Sequence, residues 1–399
     1  MLASLTLLFL AGLALAAVCQ KLRLPRIIGM LATGVLLGPY ALDLLSPSIL
    51  GISADLRQMA LVIILIKAGL SLDLADLKRV GRPAVLMSFL PALFEIAAFV
   101  LLAPALLGVD RLEAALLGAV LGAVSPAVVV PKMVSLMEER RGVDKGVPQL
   151  ILAGASLDDV FVIVLFSAFV GMAQGGGVTA AQFAGIPVSI LLGVLLGAAV
   201  GWMLARFFEA VFARGRLVRN SMKVIVVLSA AFLLMAAEEG LKGALPLSGL
   251  LAVMSMACVL RQKGDGGVAA RLSEKFGKLW LAAEVILFVL VGAAADIRYT
   301  FDAGAAALAM ILLALLFRSA GVLLSLAGTA LSWKERLFCV IAYLPKATVQ
   351  AAIGGVPLSL GLPCGRLVLS VAVLSILVTA PLGALGMEAT ADRLLQAGR

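Results

Sequence analysis

Residues 154–166 read "GASLDDVFVIVLF" and place two adjacent carboxylates, Asp158 and Asp159, inside an apolar segment. From Pro148 to Met172 no other residue is ionisable. A charge at the centre of a bilayer costs about 2.5–3.5 kcal/mol, so two cost on the order of 5–7 kcal/mol unless they are protonated or paired. A sequence retains a charge in the membrane despite this cost where the charge binds a ligand or transfers a proton. The segment therefore predicts a membrane helix that carries a functional pair of carboxylates.

The composition of the whole chain agrees with a membrane location. Of 399 residues, 63% are hydrophobic and 14% are charged, and the mean hydropathy is +1.14. Soluble domains average about 45–50% apolar and about 25% charged residues. The apolar runs are continuous rather than alternating, which argues against a transmembrane β-barrel. We therefore expect an all-α integral membrane protein.

The hydropathy pattern predicts thirteen transmembrane helices. These spans lie near 2–18, 27–42, 58–73, 84–107, 112–136, 148–173, 184–208, 222–238, 245–261, 276–295, 305–328, 335–359 and 366–388. The first is interpreted as a retained helix, because its positive charges follow the apolar run instead of preceding it. With these bounds, loops after odd-numbered spans and the C-terminal tail hold 18 of the 32 Lys and Arg, and loops after even-numbered spans hold four. By the positive-inside rule the N-terminus lies outside and the C-terminus lies in the cytoplasm.

Several classes of protein are disfavoured by what the sequence lacks. It contains no histidine, and its four cysteines are scattered, so we expect neither a histidine-based catalytic site nor a metal cluster. No GxGxxG, Walker A, HExxH or GxSxG motif is present. The net charge of +9 is explained by the cytoplasmic loops, without a basic patch typical of nucleic-acid binding. We expect a protein that is not an enzyme, has no cofactor and binds no nucleic acid.

Two predicted spans contain internal breaks. Span five includes "SPAVVVPKM" (125–133), with Pro126 and Pro131, and span twelve includes "YLPKATVQAAIGG" (343–355), with Pro345. Paired discontinuous helices in the two halves of a chain are typical of transporter sites. The offset of seven spans inverts orientation, which predicts two inverted six-helix repeats, about 1–175 and about 220–390, linked by one helix near 184–208.

The remaining buried charges are candidates to support this site. Adjacent helical residues point about 100° apart, so one aspartate can face an ion while the other turns toward Arg318. Lys346, beside Pro345, is placed to neutralise the negative ends of opposed half-helices. Glu95 is interpreted as structural, paired with a basic group that the sequence does not identify, and symmetry relates its span to that of Arg318.

The chemistry of a buried carboxylate predicts antiport. Burial favours the protonated form of an aspartate, and a small hard cation such as Na⁺ or Li⁺ competes with the proton for the same oxygens. If Asp159 holds one or the other, and the empty charged site cannot cross, exchange is enforced. We therefore predict a secondary transporter with Na⁺ or Li⁺ bound at Asp159.

Long motifs carry a family resemblance. "LGAVSPAVVVPKM", "GVDKGVPQLILAGASLDDV" and "YLPKATVQAAIGG" resemble the NHA-type sodium/proton antiporters of the monovalent cation–proton antiporter superfamily, over about residues 24–360. The resemblance implies a homodimer, with a dimer domain and a mobile core domain in which the two broken helices cross. It implies that Asp159 binds the cation and the proton, with Asp158 as its neighbour and Ser125 as an additional oxygen ligand.

The resemblance also bears on stoichiometry and location. Arg318 occupies a place where many bacterial relatives carry a lysine linked to electrogenic transport, so the stoichiometry stays open. The polar N-terminal extension of animal members is missing, and the short loops indicate a multi-pass protein of a bacterial inner membrane.

Three other functions stay open at this point. The first is a potassium/proton antiporter of the same superfamily, and the second is a sodium-coupled organic-anion symporter. The third is an ion channel or a transport-like receptor, which would not respond to a proton gradient as an exchanger must.

Overall fold

A computed structural model describes residues 1–22, 24–71, 81–174, 180–213, 219–241, 247–264, 266–296 and 304–396. Some basic residues that enter the charge count lie outside these ranges, namely Arg23, Lys78, Arg79, Arg214, Arg216, Lys242, Arg298 and Arg399. The helices from the N-terminus to the first break are α1 Leu2–Lys21, α2 Arg26–Leu37, α3 Pro47–Gly51, α4 Ser53–Ser71, α5 Arg82–Met87, α6 Leu90–Leu107 and α7 Arg111–Leu121. They are followed by α8 Pro126–Glu138, α9 Val147–Gln174, α10 Ala180–Ala213, α11 Asn220–Gly240, α12 Gly249–Lys263 and α13 Gly266–Ala294. The last are α14 Gly304–Ser325, α15 Trp333–Ala342, α16 Thr348–Gly354, α17 Val356–Ser359 and α18 Gly365–Leu394.

The described chain is an all-helical membrane protein. Every one of the thirteen predicted spans overlaps a helix or a pair of half-helices. In the described ranges, nine helical segments are long and apolar enough to cross a membrane, and Arg26–Leu37 is a shorter apolar helix. The number of crossings stays a prediction.

The chain divides into two compact units. The first contains residues 1–57, 74–166 and 285–399, and the second contains residues 58–73 and 167–284. In the first unit α14 packs against α6, α6 against α7, and α15 against α18. This packing brings Glu95 on α6 and Arg318 on α14 into the same buried layer.

The second unit is held together by close packing of α10 on α12. Gly193, Gly197 and Gly201 recur once per helical turn on α10, and a Cβ at any of them would overlap a backbone carbonyl of α12. Small residues at such spacing let two membrane helices approach closely. In the same unit the Lys67 ammonium lies 5.9 Å from the centre of the Trp280 ring.

Both broken spans begin with a capping box at the N-terminus of their first half-helix. Asp110 accepts hydrogen bonds from Leu112 N and Glu113 N, and Glu113 accepts one from Asp110 N, so the two form a capping box at the start of α7. Ser332 and Glu335 form the equivalent box at the start of α15. A capping box satisfies backbone donors at a helix N-terminus. Each half-helix therefore has a defined first turn before its break.

The prediction that Pro131 helps to break span five was wrong. α8 begins at Pro126 and continues through Pro131 to Glu138. Pro126 occupies the first helical position, where a missing N–H costs nothing, and its ring holds Ser125 in an extended conformation. The break therefore lies before Pro126, and Pro131 removes one internal donor without ending the helix.

Candidate ion-binding site

The two breaks meet at one backbone hydrogen bond. α7 ends at Leu121 and α8 begins at Pro126, while α15 ends at Ala342 and α16 begins at Thr348. Ser125 N donates to Pro345 O at 2.8 Å, which joins the two non-helical segments directly. Backbone groups freed inside a membrane need such partners, because no water is available to them. Pro126 and Pro345 therefore lie at the junction of the two breaks.

A glutamine that sequence reasoning missed supports this junction. Gln350 is fully buried; its Oε1 accepts from Ala347 N at 2.8 Å, and its Nε2 donates to Ala123 O at 2.8 Å and Leu121 O at 3.4 Å. One side-chain amide thus satisfies backbone groups of both breaks. A signal was available, since Gln350 is a polar amide within the otherwise mostly small and apolar stretch "ATVQAAIGG" (347–355) of span twelve.

Replacing Gln350 with leucine is expected to lower thermal stability. The substitution keeps a similar volume but leaves buried backbone groups without partners, at about 1–3 kcal/mol for each. The melting temperature of the purified protein in detergent measures the loss. Gln20→Leu, at an exposed position of α1, is the matched control and should leave the melting temperature unchanged. Equal melting temperatures for the two variants would contradict the bridging role.

Arg318 binds both half-helices and both acidic neighbours. Its Nε donates to Tyr343 O at 2.7 Å, and its Nη2 donates to Asp158 Oδ2 at 3.1 Å. Its Nη1 donates to Glu95 Oε2 at 2.8 Å and also to Gly122 O. Gly122 and Tyr343 are the C-cap residues of α7 and α15, at the ends where the helix dipole is negative. The predicted pairing of Arg318 with an aspartate is present, and the aspartate is Asp158.

Lys346 completes the neutralisation of the break. Its Nζ lies 2.7 Å from Glu95 Oε1 and 2.8 Å from Glu95 Oε2, and it donates to Leu121 O, at the end of α7, at 2.5 Å. Its backbone N–H donates to Thr379 Oγ1 on α18 at 3.0 Å. The sequence interpretation assigned the half-helix ends to Lys346 alone, whereas Arg318 shares that task. Glu95, whose partner the sequence left unidentified, is bound by both cations.

The Glu95–Lys346 pair is expected to be strongly coupled. Lys346→Met and Glu95→Gln should each lower stability by about 3–5 kcal/mol, because each leaves a buried charge uncompensated. The double variant should lose less than the sum of the two, as measured by melting temperatures in detergent. Glu274 and Lys278 form an exposed pair at the same 2.7 Å separation and serve as the matched control. Similar coupling in the buried and exposed cycles would contradict this prediction.

Four buried charged side chains pair with one another and their charges sum to zero, and Asp159 is not one of them. Arg318 and Lys346 carry two positive charges, and Glu95 and Asp158 carry two negative charges, all fully buried. Asp158 Oδ2 also accepts from Val124 N at 2.7 Å, just before the positive end of α8. Among the described residues the Asp159 side chain has no hydrogen bond or ion pair, and its Oδ1 is buried.

Further oxygens of this region also lack protein partners. Within the described ranges, Ser125 Oγ, Asp158 Oδ1 and the Tyr343 hydroxyl are buried without a hydrogen bond. Ser125 is the residue before α8, and its hydroxyl does not cap that helix. No cluster of three or more His, Cys, Asp or Glu suited to a resident metal occurs in the described part of the chain.

Comparison with known proteins identifies the family of this fold. The model of the transmembrane sodium/hydrogen exchanger family matches residues 5–391. The chain belongs to this family. It is therefore a member of a transporter family and not an enzyme, which confirms the resemblance seen in its motifs.

Individual relatives agree with this assignment. The chain is 35% identical to sodium/hydrogen exchanger 9B2 of Homo sapiens and of Pongo abelii, over 353 residues that make up 86% of this chain. It spans 64% of the length of either relative. The sodium proton antiporter MjNhaP1 from Methanocaldococcus jannaschii has the same fold, with a TM-score of 0.83, 98% coverage of both chains and 21% identity.

Proposed function

We propose that the protein is a secondary active antiporter that exchanges Na⁺ or Li⁺ for H⁺ by alternating access. The observation that carries the proposal is the Asp159 carboxylate, which forms no hydrogen bond or ion pair among the described residues and is adjacent in sequence to Asp158, the aspartate bound to the first break. Arg318 and Lys346 are paired with Glu95 and Asp158, and Asp159 forms no ion pair with any residue that the structure describes. A carboxylate inside the membrane without an ion-pair partner is unfavourable unless it takes up a proton or a cation.

Competition at Asp159 couples the two ions. With a proton or a cation bound, the site is neutral and can change its exposure across the membrane. The empty site is charged, and moving it through a low-dielectric region is costly. Asp159 is partly exposed whereas Asp158 is fully buried, which supports Asp159 as the residue that ions reach. Ser125, next to the Asp158-bound Val124, is proposed as a further ligand.

The finer architecture belongs to the same proposal. Thirteen membrane crossings form two inverted six-helix repeats linked by the helix near 184–208. The matching capping boxes of α7 and α15 support the repeat, as does the pairing of Glu95 on α6 with Arg318 on α14. A homodimer with separate dimer and core domains, in a bacterial inner membrane with the N-terminus outside, completes the proposal.

Everted membrane vesicles from a host that lacks antiporters test this function. A quenched dye reports the acid interior, and Na⁺, Li⁺, K⁺ and choline are added in turn to vesicles with and without the protein. Recovery of fluorescence with Na⁺ or Li⁺ alone supports the proposal. Recovery with K⁺ alone keeps the mechanism and changes the substrate. No recovery with any cation, from protein shown to be folded and inserted, overturns antiport and directs attention to organic anions.

A further inference from the structure

Tyr343 occupies a special place at the second break. It is fully buried and is the C-cap residue of α15, two residues before Pro345. Its carbonyl accepts from Arg318 Nε at 2.7 Å, and its ring centre lies 5.5 Å from the Arg318 guanidinium carbon. The ring and the backbone of Tyr343 are therefore fixed by the same arginine that binds Asp158.

The hydroxyl of Tyr343 points to the helix that carries the two aspartates. It lies against Gly154 on α9, four residues before Asp158. Residues four apart on a helix are neighbours on one face, and side chains tilt toward the helix N-terminus, so the Asp158 carboxylate leans toward this hydroxyl.

Burying the Tyr343 hydroxyl costs free energy unless the hydroxyl forms a hydrogen bond or binds a cation. Among the described residues it has no hydrogen-bond partner, and the same holds for Asp158 Oδ1 nearby. A buried hydroxyl without a hydrogen bond is unfavourable, and phenylalanine would fill the same space without that cost. A phenol oxygen can accept a cation or a water proton and can donate to a carboxylate. Hard cations prefer oxygen ligands of this kind.

We infer that the Tyr343 hydroxyl is an oxygen of the ion site, which contacts the transported cation or a water molecule bound to it. This inference rests on the proposed exchange function and adds a residue to its site. It gives Tyr343 a direct part in the apparent affinity for the cation, in addition to its packing against Arg318.

The Tyr343 hydroxyl can lie against α9 at Gly154 because glycine has no Cβ. A Cβ at this position would overlap the Tyr343 hydroxyl and would lie 3.0 Å from Met87 Cβ, while the ring carbon that bears the hydroxyl would be 3.4 Å away. The last distance is an ordinary contact. An alanine at position 154 therefore conflicts with the oxygen far more than with the ring.

Tyr343→Phe is the direct test, since it removes one oxygen. The KM for Na⁺, measured by vesicle exchange, should rise about three- to tenfold, the range of one lost hydrogen bond. The maximal rate should change less than about twofold, and the melting temperature should stay equal or rise, because no protein hydrogen bond is lost. Tyr40→Phe, at a side chain that is 42% exposed, is the matched control. An unchanged KM in Tyr343→Phe would overturn the inference.

Gly154→Ala gives an independent test through a double-variant cycle. Alone it should raise the KM for Na⁺, because the new methyl group displaces the hydroxyl. Combined with Tyr343→Phe it should add less than it does alone, because the conflict with the oxygen is gone and only the close contact with Met87 Cβ remains. Fully additive effects would contradict the placement of the hydroxyl in the site.

A binding measurement separates this inference from the function on which it rests. The rise of melting temperature caused by Na⁺ is recorded on purified protein, without any proton gradient. Wild-type vesicles that exchange no cation would overturn the proposed function, yet the Na⁺-induced stabilisation would still report on Tyr343. A smaller Na⁺-induced rise in Tyr343→Phe than in wild type supports the inference, and an equal rise in both contradicts it.

Discussion

Replacing Asp159 with asparagine is expected to reduce cation/proton exchange to the level of vesicles without the protein. The amide keeps the size of the side chain but cannot carry a charge or take up a proton. Because the Asp159 side chain forms no hydrogen bond or ion pair with any residue that the structure describes, the fold loses no contact. The adjacent Asp158 also loses a like charge beside it. We therefore expect an inactive protein whose melting temperature equals or exceeds that of the wild type.

The controls for Asp159→Asn compare two other aspartates. Asp144→Asn, at an exposed position, should keep both exchange and stability. Asp158→Asn should lower the melting temperature, since Asp158 Oδ2 is bound to Arg318 and to Val124 N. Exchange that persists in Asp159→Asn would remove this residue from the proposed mechanism. The dye assay measures exchange, and melting in detergent measures stability.

Arg318→Ala is expected to have the largest effect on stability of any single substitution considered. It leaves Glu95 with Lys346 alone, removes the ion-pair partner of Asp158, and frees the carbonyls of Gly122 and Tyr343. Breaking a buried ion pair by removing one partner costs about 3–5 kcal/mol. We expect a protein with a strongly reduced melting temperature and a low yield in the membrane.

Two further variants serve as comparisons for Arg318→Ala. Arg318→Lys keeps the charge but loses the planar fork, so it should recover only part of the stability. Arg206→Ala removes an arginine that is 67% exposed and pairs with Glu209 at 3.5 Å, and it should melt like the wild type. Melting of Arg318→Ala within a degree or two of Arg206→Ala would contradict the central role of the buried cluster. Both comparisons use the same detergent and ionic strength.

Much of the site could be predicted from local features of the sequence. The aspartate pair stands out because it is the only ionisable feature of its span, and the first break follows from Pro126 after an extended Ser125. Pro131 misled the prediction, because a proline inside a helix can be tolerated where one proline before it already starts the helix. Gln350 was missed, since two of its three partners, Leu121 and Ala123, are 229 and 227 residues away in sequence and meet it only where the breaks cross.

The sequence by itself determined the class of protein, the positions of the helices and the family. Those properties depend on local hydropathy, proline chemistry and contiguous motifs, which act over one or two helical turns. Only the tertiary structure decided how the buried charges are shared. Glu95 meets Arg318 across 223 residues and Lys346 across 251 residues, and these pairs leave Asp159 as the free carboxylate. Such pairing depends on which helix faces pack together, because Coulomb energies in a low-dielectric interior are set by distances of a few ångströms.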